Sequence, residues 1–273
     1  MSADFQHFKY LEVIKIEVKI EPIIKLIKEA GTLFKPPHDV ATKGPADFVS
    51  EIDISVQEFI YKQLNKWYPK IQFLGEENNQ HHANLQELCW VLDPVDGTTN
   101  LIHDYRFSAI SLALIKNYEP ILGIIYQPYT KELFYASKDN GAYLNGQRIH
   151  VSQETQLKNS LIAIGTSPYY RSEADDNFEL FKSIYKNCVD IRRSGSASLD
   201  LAWCACGRLE AYLERKLKIW DYAAGMIIIK EAGGLVVDYQ GQPLEPKIIR
   251  DVVAGNQEIV MKLVNDFITK KKS

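Results

Sequence analysis

Apolar residues follow a helix-like spacing near the start of the chain and a strand-like one in its middle. Leu11, Val13, Ile14, Val18 and Ile20, followed by Ile23, Ile24, Leu26 and Ile27, predict an amphipathic helix with a bend or break at Pro22 and a stop at Gly31. Pro36, Pro37, Gly44 and Pro45 mark 33–49 as an irregular loop, and a second helix is expected over 53–67. A polar loop surrounds His81 and His82. From 109 to 135 short runs of Ile, Leu, Tyr and Phe alternate with turn residues, the pattern of antiparallel strands, and KDNGAYLNGQ supplies tight turns. Further on, LIAIGT and AYLER read as strands. SASLDLAWCACG, DYAAGMIIIKEAGG and NQEIVMKLVNDFITK read as helices. Strands and helices thus mix in both halves, 1–150 and 151–273, and the polar segment 150–159 is the expected boundary.

Composition narrows the class of partner. The 273 residues are 46% apolar and 25% charged, with a net charge of -3. Such a surface has no electrostatic attraction for a nucleic-acid polymer or an anionic membrane, so a small molecule is the expected partner. Lys and Glu interrupt the apolar positions of the N-terminal segment, which therefore lacks the continuous apolar core of a signal peptide or a membrane span. Cys89, Cys188, Cys204 and Cys206 lack paired metal-site spacing and read as structural thiols in a reducing, cytoplasmic compartment.

The chemistry concentrates in WVLDPVDGTTN, residues 90–100. The apolar run 88–92 suits a buried strand, and Pro94 keeps Asp93 out of the helical conformation. Asp93 and Asp96 then share a turn, Gly97 relaxes the backbone, and Thr98 or Thr99 can open a helix whose free amides face an anion. Two carboxylates about 4 Å apart repel by roughly 4 kcal/mol at an effective dielectric near 20. A hard divalent cation such as Mg²⁺, which takes oxygen ligands, water and phosphate, is the natural compensation. More acids follow an apolar run in IQFLGEENN, at Glu76 and Glu77, and stand at the expected helix start in KIWDYAAG, at Asp221. Taken singly, each has a plainer role as a loop charge or a helix cap, and so has Asp53 ahead of ISVQEFIYKQL.

In order, GEE, WVLDPVDGTTN and WDYAAG resemble the inositol monophosphatase family of Mg²⁺-dependent, often lithium-sensitive phosphatases. DFVSEID resembles the family's upstream aspartate element, with Ser50 in place of a threonine, and RRSGSASLDLAWCACGRLEAYLE resembles the segment leading to its last aspartate motif. Together these span roughly residues 40–255. The resemblance implies an α+β fold, the layered α-β-α-β-α sandwich of the sugar phosphatases, as a homodimer. It implies that Glu76, Asp93 and the Val95 carbonyl hold one Mg²⁺ and that Asp93, Asp96 and Asp221 hold a second. A third cation sharing Glu76 is a further implication, although Lys43 stands four residues before Asp47 where the family pattern has five. Asp53 and Thr98, with Glu76, would be the catalytic set, orienting and helping to deprotonate the attacking water. Gly97, Thr98 and Thr99 would meet the phosphate. Gly195, Ser196, Ala197 and Glu214, with Asp96 and Asp221, would complete the substrate contacts.

The resemblance leaves several readings open. DGTTNLI differs from the D-G-T-K-E-F of relatives that act on 3'-phosphoadenosine 5'-phosphate, which favours an inositol or sugar phosphate, with fructose-1,6-bisphosphate as an alternative. Haloacid-dehalogenase-type phosphatases carry D-x-D-G-T. The extra residue between the acids here would change which face of the strand the first acid occupies. A metal-dependent protein that binds phosphate esters for regulation, without turnover, is the non-enzymatic alternative.

Overall fold

The computed structural model describes residues 11–13, 16–44, 47–77 and 83–270, so the segment around His81 and His82 lies outside the described residues. The N-terminal helix is shorter than its apolar pattern predicts. β1 (Leu11–Val13) pairs antiparallel with β2 (Ile16–Val18), and helix α1 runs only over Ile20–Ala30. The reason is local: in LEV and IEV apolar residues alternate with glutamate, a period of two that suits strands. Pro22 does not bend α1, because it sits in the first turn, where a missing N–H costs no helical hydrogen bond.

The segment expected to be irregular holds a second hairpin, β3 (Val40–Gly44) against β4 (Asp47–Ser50), with mostly exposed side chains on β3. Helix α2 then spans Glu51–Trp67. Its cap is Ser50, whose side-chain oxygen accepts from the N–H of Ile52 at 3.2 Å, and Asp53 lies inside the first turn instead of at the cap.

After α2 the chain enters a sheet of β5 (Gln72–Gly75), β6 (Cys89–Asp96), β7 (Ala109–Lys116), β8 (Glu119–Gln127), β9 (Glu132–Ser137), β10 (Ala142–Leu144) and β11 (Gln147–Ile149). The short helix α3 (Thr98–Ile102) leaves the end of β6. β5 runs parallel to β6, and the remaining neighbours are antiparallel in sequence order. A second sheet contains β12 (Leu161–Ile164), β13 (Asp190–Arg192), β14 (Ala211–Lys218), β15 (Leu235–Val237) and β16 (Ile249–Gly255), in the order β13-β12-β14-β16-β15. Its helices are α4 (Ala174–Tyr185), α5 (Ala197–Ala205), α6 (Ile219–Glu231) and α7 (Gln257–Leu263), the last running into a π-helical turn, Val264–Ile268.

Apolar side chains divide these elements into the expected α-β-α-β-α layers. One core joins α1 and α2 to the outer face of the larger sheet, through residues such as Ile27, Ile60, Trp90 and Leu112. A central core packs α5 and α6 between the sheets, and a third seats α4 and α7 on the smaller sheet. Helix α6 is buried over almost its whole circumference, as a helix between two sheets must be. Gly123 lets it approach β8: a Cβ there would stand 2.5 Å from the Ala224 carbonyl oxygen, a backbone atom that cannot turn aside.

Candidate active site

The acidic residues meet where β5 and β6 end side by side. Because these strands are parallel and in register at Gly75 and Leu92, the next residue of each brings Glu76 beside Asp93, and the Glu76 N–H donates to the Leu92 carbonyl at 3.1 Å. Regular alternation would send Asp93 and Asp96 to opposite faces of β6. The pairing with β7 slips between them, however, and this irregularity turns both toward one cleft. Pro94, which has no N–H to contribute to the ladder, sits within the slip. Asp93 Oδ1 accepts the Val95 N–H at 3.0 Å, closing the turn from its own side chain. Gly97 then takes φ 91°, a left-handed conformation that favours glycine, and delivers Thr98 and Thr99 to the cleft.

Asp53 reaches the same turn from α2. Its Oδ2 accepts the Ser50 N–H at 2.8 Å and the Ser50 hydroxyl, and its Oδ1 faces the Thr98 hydroxyl at 2.8 Å. That hydroxyl also lies 3.0 Å from the Val95 carbonyl, so its single proton has two acceptors. Asp53 is fully buried, and burial raises its pKa against these hydrogen bonds, which lower it. On the other side of Glu76, Lys43 of β3 pairs with Glu77 at 2.7 Å and approaches Glu76 at 3.9 Å.

The second half of the chain supplies the opposite wall. Asp221 stands in the first turn of α6, where its Oδ2 accepts the Lys218 N–H at 2.7 Å; the cap position belongs to Lys218, not to the aspartate. Asp96 is held from across the cleft by the start of α5. It accepts the Ser196 hydroxyl and the Ser198 N–H, each at 2.6 Å, the Ala197 N–H at 3.3 Å and the Ser198 hydroxyl. Gly195, at φ 88°, makes the turn into α5, and Glu214 of β14 lines the cleft behind it. Glu214 is buried, accepting the Ser167 N–H at 2.8 Å and the Tyr212 hydroxyl.

The structure therefore gathers Glu76, Asp93, Val95, Asp96, Gly97, Thr98 and Thr99 with Gly195, Ser196, Ala197, Glu214 and Asp221 around one cleft of about 390 Å³. Asp53 stands behind Thr98. Sequence reasoning did not single out Asp200, Tyr212, Tyr169, Arg171 or Arg193, which line the same cleft. Asp200 is buried and accepts the Ser194 hydroxyl at 2.6 Å. Its spacing on α5 had been visible only as an acid within an otherwise apolar helix. Asn100 was also overlooked: its Nδ2 donates to Phe107 O at 2.7 Å and Ser194 O at 2.9 Å, tying the Gly97 turn to the Gly195 turn.

Electrostatically the cleft suits a hard cation. Burial, followed by repulsion from Glu76, Asp96 and Asp221, holds the Asp93 carboxyl well above the usual carboxylate range. Asp221 is raised by burial and then by Asp96 and Glu76. Asp96 is raised chiefly by burial, against the hydrogen bonds from α5. Glu76 keeps 20% of its side-chain surface open, yet loss of hydration pushes its pKa up to about 8, opposed by Lys43 and reinforced by Glu77. These oxygens are crowded anions whose charge is costly until a proton or a cation joins them. Among the described residues no group of three or more acidic, histidine or cysteine side chains is arranged to hold a metal ion.

Comparison with known proteins identifies the family and the fold. The sequence model described as the inositol monophosphatase family matches residues 10–270. The chain is 36% identical over 273 residues to an inositol monophosphatase of Dictyostelium discoideum, covering 96% of this chain and 100% of that protein. It is 35% identical over 260 residues to a fructose-1,6-bisphosphatase/inositol-1-monophosphatase of Aquifex aeolicus, covering 95% and 94%. The crystal structure of the extragenic suppressor protein suhB from Bartonella henselae superposes with a TM-score of 0.84 at 32% identity, covering 91% of this chain and 98% of that one.

Proposed function

Because the chain belongs to the inositol monophosphatase family, we propose that it is a Mg²⁺-dependent phosphomonoesterase acting on an inositol monophosphate or a similar sugar or polyol phosphate. The observation that carries this reading is the convergence of Glu76, Asp93, Asp96 and Asp221, from separate segments, on one cleft beside the Gly97 turn. Glu76, Asp93 and the Val95 carbonyl would hold one cation and Asp93, Asp96 and Asp221 a second, with a third sharing Glu76. When bound, Mg²⁺ supplies Lewis-acid stabilisation of phosphoryl charge and lowers the pKa of water.

The chain's own groups do the rest. The Thr98 hydroxyl, by donating its proton to Asp53, is left with lone pairs that can accept a proton from water approaching phosphorus. Asp53, with its raised pKa, is suited to share that proton, and Ser50 fixes its orientation. Open backbone at Gly97, Thr98 and Thr99 receives the phosphate oxygens, while Gly195, Ser196, Ala197 and Glu214 face the alcohol. Asn100 keeps the phosphate and alcohol walls in fixed relation. The halves 1–150 and 151–273 each contribute, the first most of the acids and the second Asp221 and the alcohol wall.

Free cysteines and the absence, among the described residues, of any helix long and apolar enough to cross a membrane accord with a cytoplasmic enzyme. A homodimer inhibited by lithium completes the proposal. Phosphate release from inositol-1-phosphate, fructose-1,6-bisphosphate and 3'-phosphoadenosine 5'-phosphate, with Mg²⁺ and with chelator, tests it. Release should require Mg²⁺, should be weakest on the nucleotide, and should fall at least a thousandfold in a folded Asp93→Asn variant. Near-normal turnover by that variant contradicts the assignment. Tight binding of these esters without any release would favour the regulatory alternative.

A further inference from the structure

Glu76 is held through its main chain, and one of the two hydrogen bonds that hold it involves a side chain with no part in the proposed chemistry. Its own N–H donates to the Leu92 carbonyl of β6 at 3.1 Å. The next N–H, that of Glu77, donates to Oε1 of Gln57 at 3.1 Å. Peptide planes are rigid, so φ and ψ of Glu76 are the only soft torsions between these two anchors. Pinning the plane on each side therefore fixes the direction in which the Glu76 side chain leaves the backbone.

The position of Gln57 suits this role. It lies on α2 one turn after Asp53, and both are buried on the same face of the helix. Its side chain is long and polar, yet Gln57 is only 6% exposed. Such burial is unfavourable unless the polar groups find partners, and the Glu77 N–H is one of them. The end of β5 makes room for the amide: a Cβ at Gly75 would overlap Oε1 of Gln57, which gives the glycine there a steric reason. Charge matters as well. Glu77 and Asp53 already repel Glu76, and an amide oxygen accepts the N–H without adding another anion. The same segment carries the cationic neighbour of Glu76, because Lys43 pairs with Glu77 at 2.7 Å and stands 3.9 Å from Glu76. Helix α2 thus addresses the cleft twice, through Asp53 at Thr98 and through Gln57 at the peptide that follows Glu76.

We propose that Gln57 is a positioning residue for the cation site: through the Glu77 peptide it aims the Glu76 carboxylate toward Asp93, and so sets the affinity for a divalent cation. This rests on the reading of Glu76 as a cation ligand.

The test is Mn²⁺ binding to the full chain without substrate, read by electron paramagnetic resonance of the free ion, for the wild type, Gln57→Met and Gln57→Glu. Methionine is similarly long and unbranched and offers only a weak acceptor. In Gln57→Met the tightest Mn²⁺ affinity should fall about tenfold, the scale of loss when an outer partner of a metal ligand is removed. The Mg²⁺ concentration for half-maximal phosphate release should rise by a similar factor, with KM for the ester at saturating Mg²⁺ within about twofold of the wild type. A merely structural tether would lower the melting temperature and leave the affinity unchanged. Gln57→Glu keeps an acceptor in the same place and should bind Mn²⁺ at least as tightly as the wild type. Unchanged affinity in folded Gln57→Met overturns the proposal. So does weakened binding in Gln57→Glu, which decides the matter if Gln57→Met does not fold. A wild type that binds no Mn²⁺ contradicts the reading of Glu76 as a cation ligand, and this inference with it.

Discussion

Glu76 illustrates how one side chain can be unfavourable for the fold and useful for the site. Its pKa, pushed from an ordinary 4.5 to about 8, means that the folded protein binds its proton more tightly than the unfolded chain does. Its contribution to stability is therefore fully present at the acid end of that window and is lost as pH rises toward 8. The raised pKa values of Asp93, Asp96 and Asp221 act in the same direction. A cation that binds the deprotonated carboxylates offsets this loss, and its binding releases protons. Added Mg²⁺ should consequently raise the melting temperature more at pH 8 than at pH 5.5. A Mg²⁺ increment that is equal at both pH values, measured by thermal unfolding against a chelator control, would show that these groups do not face the cation. Asp53 belongs to the same scale. Its hydrogen bond to Thr98 was not deducible from sequence spacing, because 45 residues separate the partners.

Elements place the acids where single residues cannot. The apolar run of β6 announced a strand, but the slip against β7 that turns Asp93 and Asp96 to one side depends on a neighbour more than ten residues away. In the same way, α6 was legible as a helix, while its reach to the cleft is set by how closely it lies on β8. Gly123→Ala should therefore lower stability by about 2 kcal/mol, since its Cβ meets the Ala224 carbonyl oxygen. It should also reduce turnover by displacing α6 and, with it, Asp221. Unchanged stability and activity in denaturant unfolding and phosphate-release assays would mean that the helix has freedom to shift. The first strands were misread because LEVIKIEV satisfies helical and alternating templates at once, and only pairing in space decides between them.

At the scale of the whole molecule, the layered architecture and the acidic cluster were legible because their signals are local: apolar runs, turn residues, and acids placed directly after strands. The walls that fix those acids were not. Asp96 is gripped by residues 100 to 102 positions further along the chain, and Asn100 reaches Ser194 from the opposite direction. These contacts make α5, a helix of the central layer, part of the wall of the acid-lined cleft. The central claim is that four carboxylates from distant segments jointly bind divalent cations at the phosphate site. Anomalous diffraction from crystals soaked in Mn²⁺, an oxygen-seeking stand-in for Mg²⁺, measures this directly. The expected map has one peak shared by Glu76, Asp93 and the Val95 carbonyl and a second shared by Asp93, Asp96 and Asp221. Peaks only elsewhere, or none at these oxygens at saturating Mn²⁺, would contradict it.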